Sequence, residues 1–404
     1  MISRSIPEYP NPFNPGFGVD PPYLAGRAGE LHRVLANLAD GPGRADYLTV
    51  LLGPRGVGKT VFLNQIRHHV EGEFGWPTIR WTAGPDRRLV DAIDERFDDV
   101  NQNLTGRRGP TIAGGEVSVG AGVGRASLRL NARQRPVGVH AQLRHLGIRA
   151  RDANRHVVLL VDELQSGSAE SLRALSSALQ ETNGERLPVG MVAVGLPTAT
   201  TRLAAIEGVT FLERQATTFL GNLDHGDCRD ALLQPLLAQR RDIADDELER
   251  LVVFTSGYPY AVQLVGYHTV EAAGDDQLLS AAHVVVGIER ARQRLDGIFA
   301  ERWQRLSPAE RNYVLAAVTV LDTHGQARTG AIAAELDQSP QQVSKHHGAL
   351  LREHQLIYSP ERGVIEFALP GFGLWVAGRS EILRAERDAD APRQAREHRQ
   401  DDEG

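Results

Sequence analysis

The stretch that most limits what this chain can fold into is GPRGVGKT, residues 53–60. Gly53, four residues, then Gly58, Lys59 and Thr60 is the spacing of a phosphate-binding loop. Its context agrees, because the apolar run from Tyr47 to Leu52 precedes it and the helix-period stretch from Val61 to Val70 follows. Glycines let successive backbone N–H groups point inward at phosphate oxygens. Lys59 supplies a point charge for β and γ phosphates, Thr60 a hydroxyl for Mg²⁺, and the helix starting there its positive end. Gly53, Pro54, Arg55, Gly56, Val57, Gly58, Lys59 and Thr60 are therefore the candidate triphosphate cradle. Such a loop needs a strand before it and a helix after it, so the chain must contain an α/β layer.

The same alternation recurs downstream. Helix-period residues from Gly29 to Leu38 are interleaved with short runs from Thr78 to Trp81, Val157 to Val161 and Gly190 to Val194. Several runs are apolar on both faces and rich in Val and Leu, the pattern of parallel strands buried between helices. This predicts an α/β domain with a mostly parallel sheet over residues 24–221, preceded by a Pro-rich extended segment, 1–23. Inside it, residues 110–131 alternate at Val117, Val119, Ala126, Leu128 and Leu130 around a Gly-rich centre. They read as an inserted β-hairpin, or equally as a low-complexity loop. Residues 222–304 read as purely helical, a helical lid with a long amphipathic run from Ala281 to Gln304. Residues 305–378 form a third unit, and the tail 379–404 is dense in charge, the composition of a frayed helix or disorder.

VVLLVDE at 157–163 adds a carboxylate for the metal and a base for water at the carboxyl end of a buried strand. Asp162 would serve Mg²⁺ and Glu163 would polarise the attacking water. An acid at 163, in place of a neutral residue, points to hydrolysis and not to nucleotide holding alone. The implied cofactors are ATP and Mg²⁺.

PPYLAGRAGEL at 21–31, GPRGVGKT, VVLLVDE, a following strand, a helical lid and a terminal helix-turn-helix together resemble an AAA+ P-loop ATPase. Within that group the chain is similar to the origin-recognition initiator-like and STAND-type bacterial and archaeal ATPases, over about residues 15–375. The resemblance implies that the LAGR-like segment lies along the adenine, making Leu24, Ala25, Gly26 and Arg27 candidates for base contact. A plain helix start is the other reading of that segment. Three departures stand out. The fourth strand, MVAVGLPT, offers Gly195, Leu196 and Pro197 where the initiator-like proteins carry a polar sensor, and Thr198 is the first hydroxyl. The lid arginine of many AAA+ proteins is absent from SGYPYAVQL, where Gly257, Tyr258 and Pro259 instead resemble the GxP signature of STAND switch ATPases; Pro259 would also suit a helix's first position. Arg214 stands where the resemblance puts an arginine finger acting on a neighbouring subunit, with Arg202 as its rival. The finger reading implies a nucleotide-dependent homo-oligomer.

LSPAERNYVLAAVTVL, TGAIAAEL and SPQQVSKHHGALLREHQ read as three helices, and LIYSPERGVIEFALP as two strands joined by a turn at Glu361 to Gly363. Ser339, Pro340 and Gln342 make a capping box at the third helix start. The pattern is that of a winged helix, whose third helix presents its outward residues to a major groove. Lys345, Arg352 and Arg362 are candidates for phosphate contact and Gln341 and Gln342 for base contact. Residues 305–379 hold seven basic and seven acidic residues, so the module is neutral, and a partner protein is the other reading of its ligand. His346 and His347, like His68 and His69, are adjacent and do not share a helix face, so neither pair makes a helical metal site.

The whole chain, 41% apolar with a formal net charge of −6, has no global attraction to nucleic acid or anionic membrane. Cys228 is the only cysteine, which excludes an internal disulfide framework and fits a reducing compartment. No stretch approaches a membrane span, so the expected location is cytoplasmic.

Overall fold

The computed structural model describes residues 10–16, 18–44, 46–105, 136–209, 215–323 and 325–383. The insertion at 110–131, Arg214 and the tail from 384 onward lie outside them. The chain divides into two compact units, a sheet unit of 27–53 and 59–220 and a C-terminal unit of 1–26, 54–58 and 221–404.

The sheet unit runs α1 (Ala28–Asp40), β1 (Leu48–Leu52), α2 (Lys59–Gly72), β2 (Thr78–Thr82), α3 (Leu89–Leu104), α4 (Val139–Asp152), β3 (Val157–Asp162), α5 (Ala169–Gly184), β4 (Val189–Gly195), α6 (Thr198–Ala204) and β5 (Ala216–Phe219). The five strands are parallel in the order β2-β3-β4-β1-β5. Every residue of β1, β3 and β4 is buried, which is why those runs are mostly apolar and do not alternate. Leu52 pairs with Gly195 and Val161 with Ala193, so the carboxyl ends of β1, β4 and β3 finish nearly level. In open parallel sheets, ligands bind beyond such ends where the strand order reverses. Gly53, Asp162 and Leu196 all emerge there.

The C-terminal unit contains α7 (His225–Ala238), β6 (Asp242–Ile243), α8 (Asp245–Thr255), α9 (Pro259–Ala273), β7 (Leu278–Leu279), α10 (Ala281–Gln304), α11 (Pro308–Thr319), β8 (Gln326–Arg328), α12 (Thr329–Glu335), α13 (Pro340–Arg352), β9 (Ile357–Tyr358), β10 (Val364–Phe367) and α14 (Phe372–Ala377). Residues 222–304 are not purely helical, since β6 and β7 pair in parallel. Two-residue strands have no periodicity for a sequence to display. Phe13 in the extended N-terminal segment is buried and lies against Gly266 of α9, while Asn11 Nδ2 donates to the Tyr267 carbonyl at 2.9 Å. The long helix α10 feeds two cores: Val284 and Ala291 pack with α7, α8 and α9, whereas Phe299 and Trp303 pack with Tyr313, Ile332 and Phe372. A Cβ at Gly287 would run into Thr269 of α9, so this glycine permits the close crossing of the two helices.

Helices α11 to α13 are followed by the antiparallel β9 and β10, with β8 as a third strand on the other edge of β10. This arrangement is consistent with a winged helix. The Ser339 capping box forms: Ser339 Oγ accepts from Gln342 N–H and the Gln342 side chain accepts from Ser339 N–H at 2.7 Å. Val343 and Leu350 are buried beneath the helix. No helix among the described residues is long and apolar enough to cross a membrane.

Candidate functional site

In the sheet unit the loop begins with Gly53, whose N–H donates to the Gly195 carbonyl at 3.1 Å, so the cradle is tied to the end of β4. Lys59 opens α2, is buried, and its Nζ donates to the Gly53 carbonyl at 2.8 Å. That bond ties the ammonium to Gly53, the residue that opens the loop. Thr60 Oγ1 lies 3.4 Å from Asp162 Oδ1, so two positions 102 residues apart in sequence meet at the ends of α2 and β3. Asp162 is buried, and its Oδ1 also accepts from Glu163 N–H at 3.0 Å. One hydroxyl and one carboxylate are hard oxygen donors that suit Mg²⁺, an ion that keeps several of its waters. Among the described residues no cluster of three or more His, Cys, Asp or Glu side chains could hold a metal by itself.

Glu163 follows Asp162 with φ 55° and ψ 42°, left-handed backbone that a non-glycine residue adopts only where its surroundings hold it there. Its carboxylate accepts a hydrogen bond from Gln165 Nε2. Arg80 on β2 donates to Asn64 Oδ1 at 2.7 Å and to Asp162 Oδ2 at 3.0 Å. Neither Arg80 nor Gln165 was singled out from sequence. Arg80 is a lone cation between the buried Ile79 and Trp81 in the strand TIRWT, and that contrast is the signal that could have marked it.

Residues 54–58 of the loop belong to the C-terminal unit. Gly56 and Gly58 have φ of 77° and 88°, and a Cβ on Gly56 would collide with the Tyr258 ring. Arg55 donates to Gln355 Oε1 at 2.6 Å, and its backbone N–H to the Ala368 carbonyl at 3.3 Å. Tyr258 is buried, and burial raises its phenol well above its ordinary range. Pro259 takes the first position of α9 behind a left-handed Gly257, so the GYP segment does serve as a helix start. Ala25 is buried among the helices of this unit, and a Cβ at Gly26 would meet Asp227. Arg27, in the sheet unit, is buried at the start of α1, 3.8 Å from Glu30.

The remaining candidates are dispersed. Arg214 falls outside the described residues, and its rival Arg202 donates to the Gly167 carbonyl at 2.9 Å. Gln341, Gln342, Lys345, Arg352 and Arg362 are all exposed. The Gln342 carbonyl is committed to the cap of α13, and the Arg352 guanidinium lies over Gly348 of its own helix. His347 is half-buried, accepts or donates a 2.9 Å bond with the Tyr313 hydroxyl, and has its pKa lowered by burial and by Arg352.

Residues 23–192 match the family model of the AAA ATPase domain. Residues 296–376 match a domain described only as of unknown function. The structure resembles a Walker-type ATPase of Pyrococcus abyssi at 15% identity and TM-score 0.56, covering 87% of this chain and 95% of that one. It also resembles the ORC2 protein of Aeropyrum pernix in its ADPNP-ADP complexes, at 15% identity and TM-score 0.52, covering 92% and 97%. No curated protein sequence matches the chain. Strand order, loop and family model together place an AAA ATPase domain over residues 23–192, and the fold resembles that of the Walker-type ATPase and the ORC2 protein.

Proposed function

We propose that this chain is an ATP-hydrolysing switch whose nucleotide state governs DNA binding through residues 305–378. The observation that carries the hydrolytic half is the meeting of Thr60, Asp162 and Glu163 at the ends of α2 and β3. Loop N–H groups and Lys59 would bind the phosphates, and Thr60 and Asp162 would hold Mg²⁺, which supplies charge neutralisation when bound. Glu163 would take a proton from water as its oxygen bonds to the γ phosphorus and the bond to the β-phosphate oxygen breaks, giving ADP and phosphate. Leu24 and Arg27 are assigned to the adenine, Pro259 to the nucleotide through its GxP-like segment, and Arg214 to the neighbouring site of a homo-oligomer. Undiminished activity in Arg214→Ala at every protein concentration would remove that last assignment.

Exposed Lys345 and Arg362, which make no ion pair among the described residues, support the DNA half, with Gln341 beside Lys345 on α13. The equal count of acids and bases over 305–379 and the folded-back Arg352 favour the second reading, docking onto a partner protein. A salt titration of duplex binding with and without ATP separates the two. Contacts from Lys345, Arg352 and Arg362 give a slope of about −3 in log K against log salt. Absence of salt-sensitive binding at low ionic strength leaves the protein-docking reading.

A further inference from the structure

We propose that Gln165 is a positioning residue that fixes the Glu163 carboxylate to the end of β4, so that β4 acts on the base through its backbone and not through a side chain of its own. The inference rests on the reading of Glu163 as the base. Gln165 is 4% exposed, in the short turn Leu164–Ser166 after β3. Its Oε1 accepts the Leu196 N–H at 2.9 Å. An N–H must face an acceptor, so this bond settles which way the amide points and leaves Nε2 directed at Glu163, to which it donates. A buried glutamine needs partners at both ends, and here each end has one.

The absence of a polar residue at the end of β4 belongs to the same arrangement. A Cβ on Gly195 would sit 2.9 Å from Gln165 Oε1, tighter than ordinary packing, so a side chain at 195 would displace the amide. Gly195 and Gln165 are thus complementary: the strand gives up its side chain and the buried amide takes the space. Asp162 holds the Glu163 backbone from one side through the 3.0 Å bond, and Gln165 holds the carboxylate from the other. A base clamped at both ends loses little on meeting its water, and misplacement by about 1 Å can cost about 100-fold in rate.

The test uses the full chain with Gln165→Leu, which removes both bonds, and Gln165→Asn, which stays polar but is too short to reach both partners. Each is also combined with Glu163→Gln. ATP affinity, KM and kcat are measured, and a nucleotide-induced rise in Tm confirms that each variant is folded. Both single variants are expected to lose about 10- to 100-fold in kcat with KM and affinity within about 2-fold of the parent. In the Glu163→Gln background the same changes are expected to alter the residual rate by less than about 2-fold, because Gln165 acts through Glu163. Unchanged kcat in both single variants while Glu163→Gln is inactive overturns the proposal, as does a Gln165 effect that multiplies in full with Glu163→Gln. Wild-type turnover in Glu163→Gln alone overturns the reading of Glu163 and is seen without any Gln165 variant.

Discussion

Arg80 donates to Asp162 Oδ2 at 3.0 Å, so the carboxylate assigned to the metal already carries a cation on one oxygen. The Asp162 side chain is 6% exposed against 35% for Arg80. A buried carboxylate left without its cation is costly, about 3–5 kcal/mol for a fully buried pair and less here because Arg80 is part-exposed. Arg80→Met is therefore expected to lower the Tm of the nucleotide-free protein by several degrees. With Mg²⁺ and ATP bound, the metal takes over the neutralisation and the Tm deficit narrows. An equal deficit with and without Mg²⁺-ATP would separate Arg80 from the metal site.

His156 stacks on Trp76 at a centroid distance of 4.0 Å and shares a 2.9 Å hydrogen bond with the Tyr47 hydroxyl. Burial lowers its imidazole from the ordinary 6.5 to about 4. With the folded value below the unfolded one, the unfolded chain takes the proton first as pH falls. The associated stability is complete above pH 6.5 and is lost between pH 6.5 and pH 4. His156→Gln, which does not titrate, is expected to have a shallower fall of Tm over that window. Parallel profiles for wild type and variant would contradict the assignment.

Ser339 caps α13 on one side of a reciprocal pair with Gln342. Ser339→Ala is expected to cost about 1 kcal/mol of stability, read from denaturant midpoints at unchanged m-value. It removes the acceptor of the Gln342 N–H and leaves the bond from the backbone N–H of residue 339 to the Gln342 carbonyl in place. No change in midpoint would mean that α13 is held by packing alone.

What could be read from sequence follows from how local each interaction is. The Lys59–Gly53, Asp162–Glu163 and Ser339–Gln342 contacts join residues within a few positions of one another, so short sequence patterns can mark them. Arg80 and Asp162 lie 82 positions apart, and Arg55 and Gln355 lie 300 apart, so no local pattern announces either contact. The strands β6, β7 and β8 are two or three residues long and exist only because a partner is brought beside them. Gln165 is a different case. It lies two residues from Glu163, but a single amide carries neither charge nor periodicity, and its meaning appears only when Leu196 N–H is seen across from it.

The most direct test of the hydrolytic switch is single-turnover phosphate release from pre-bound ATP in wild type and Glu163→Gln, with ATP affinity measured in parallel. The expected result is unchanged affinity with phosphate release slowed by about 100-fold or more. Release at the wild-type rate in Glu163→Gln would contradict the account.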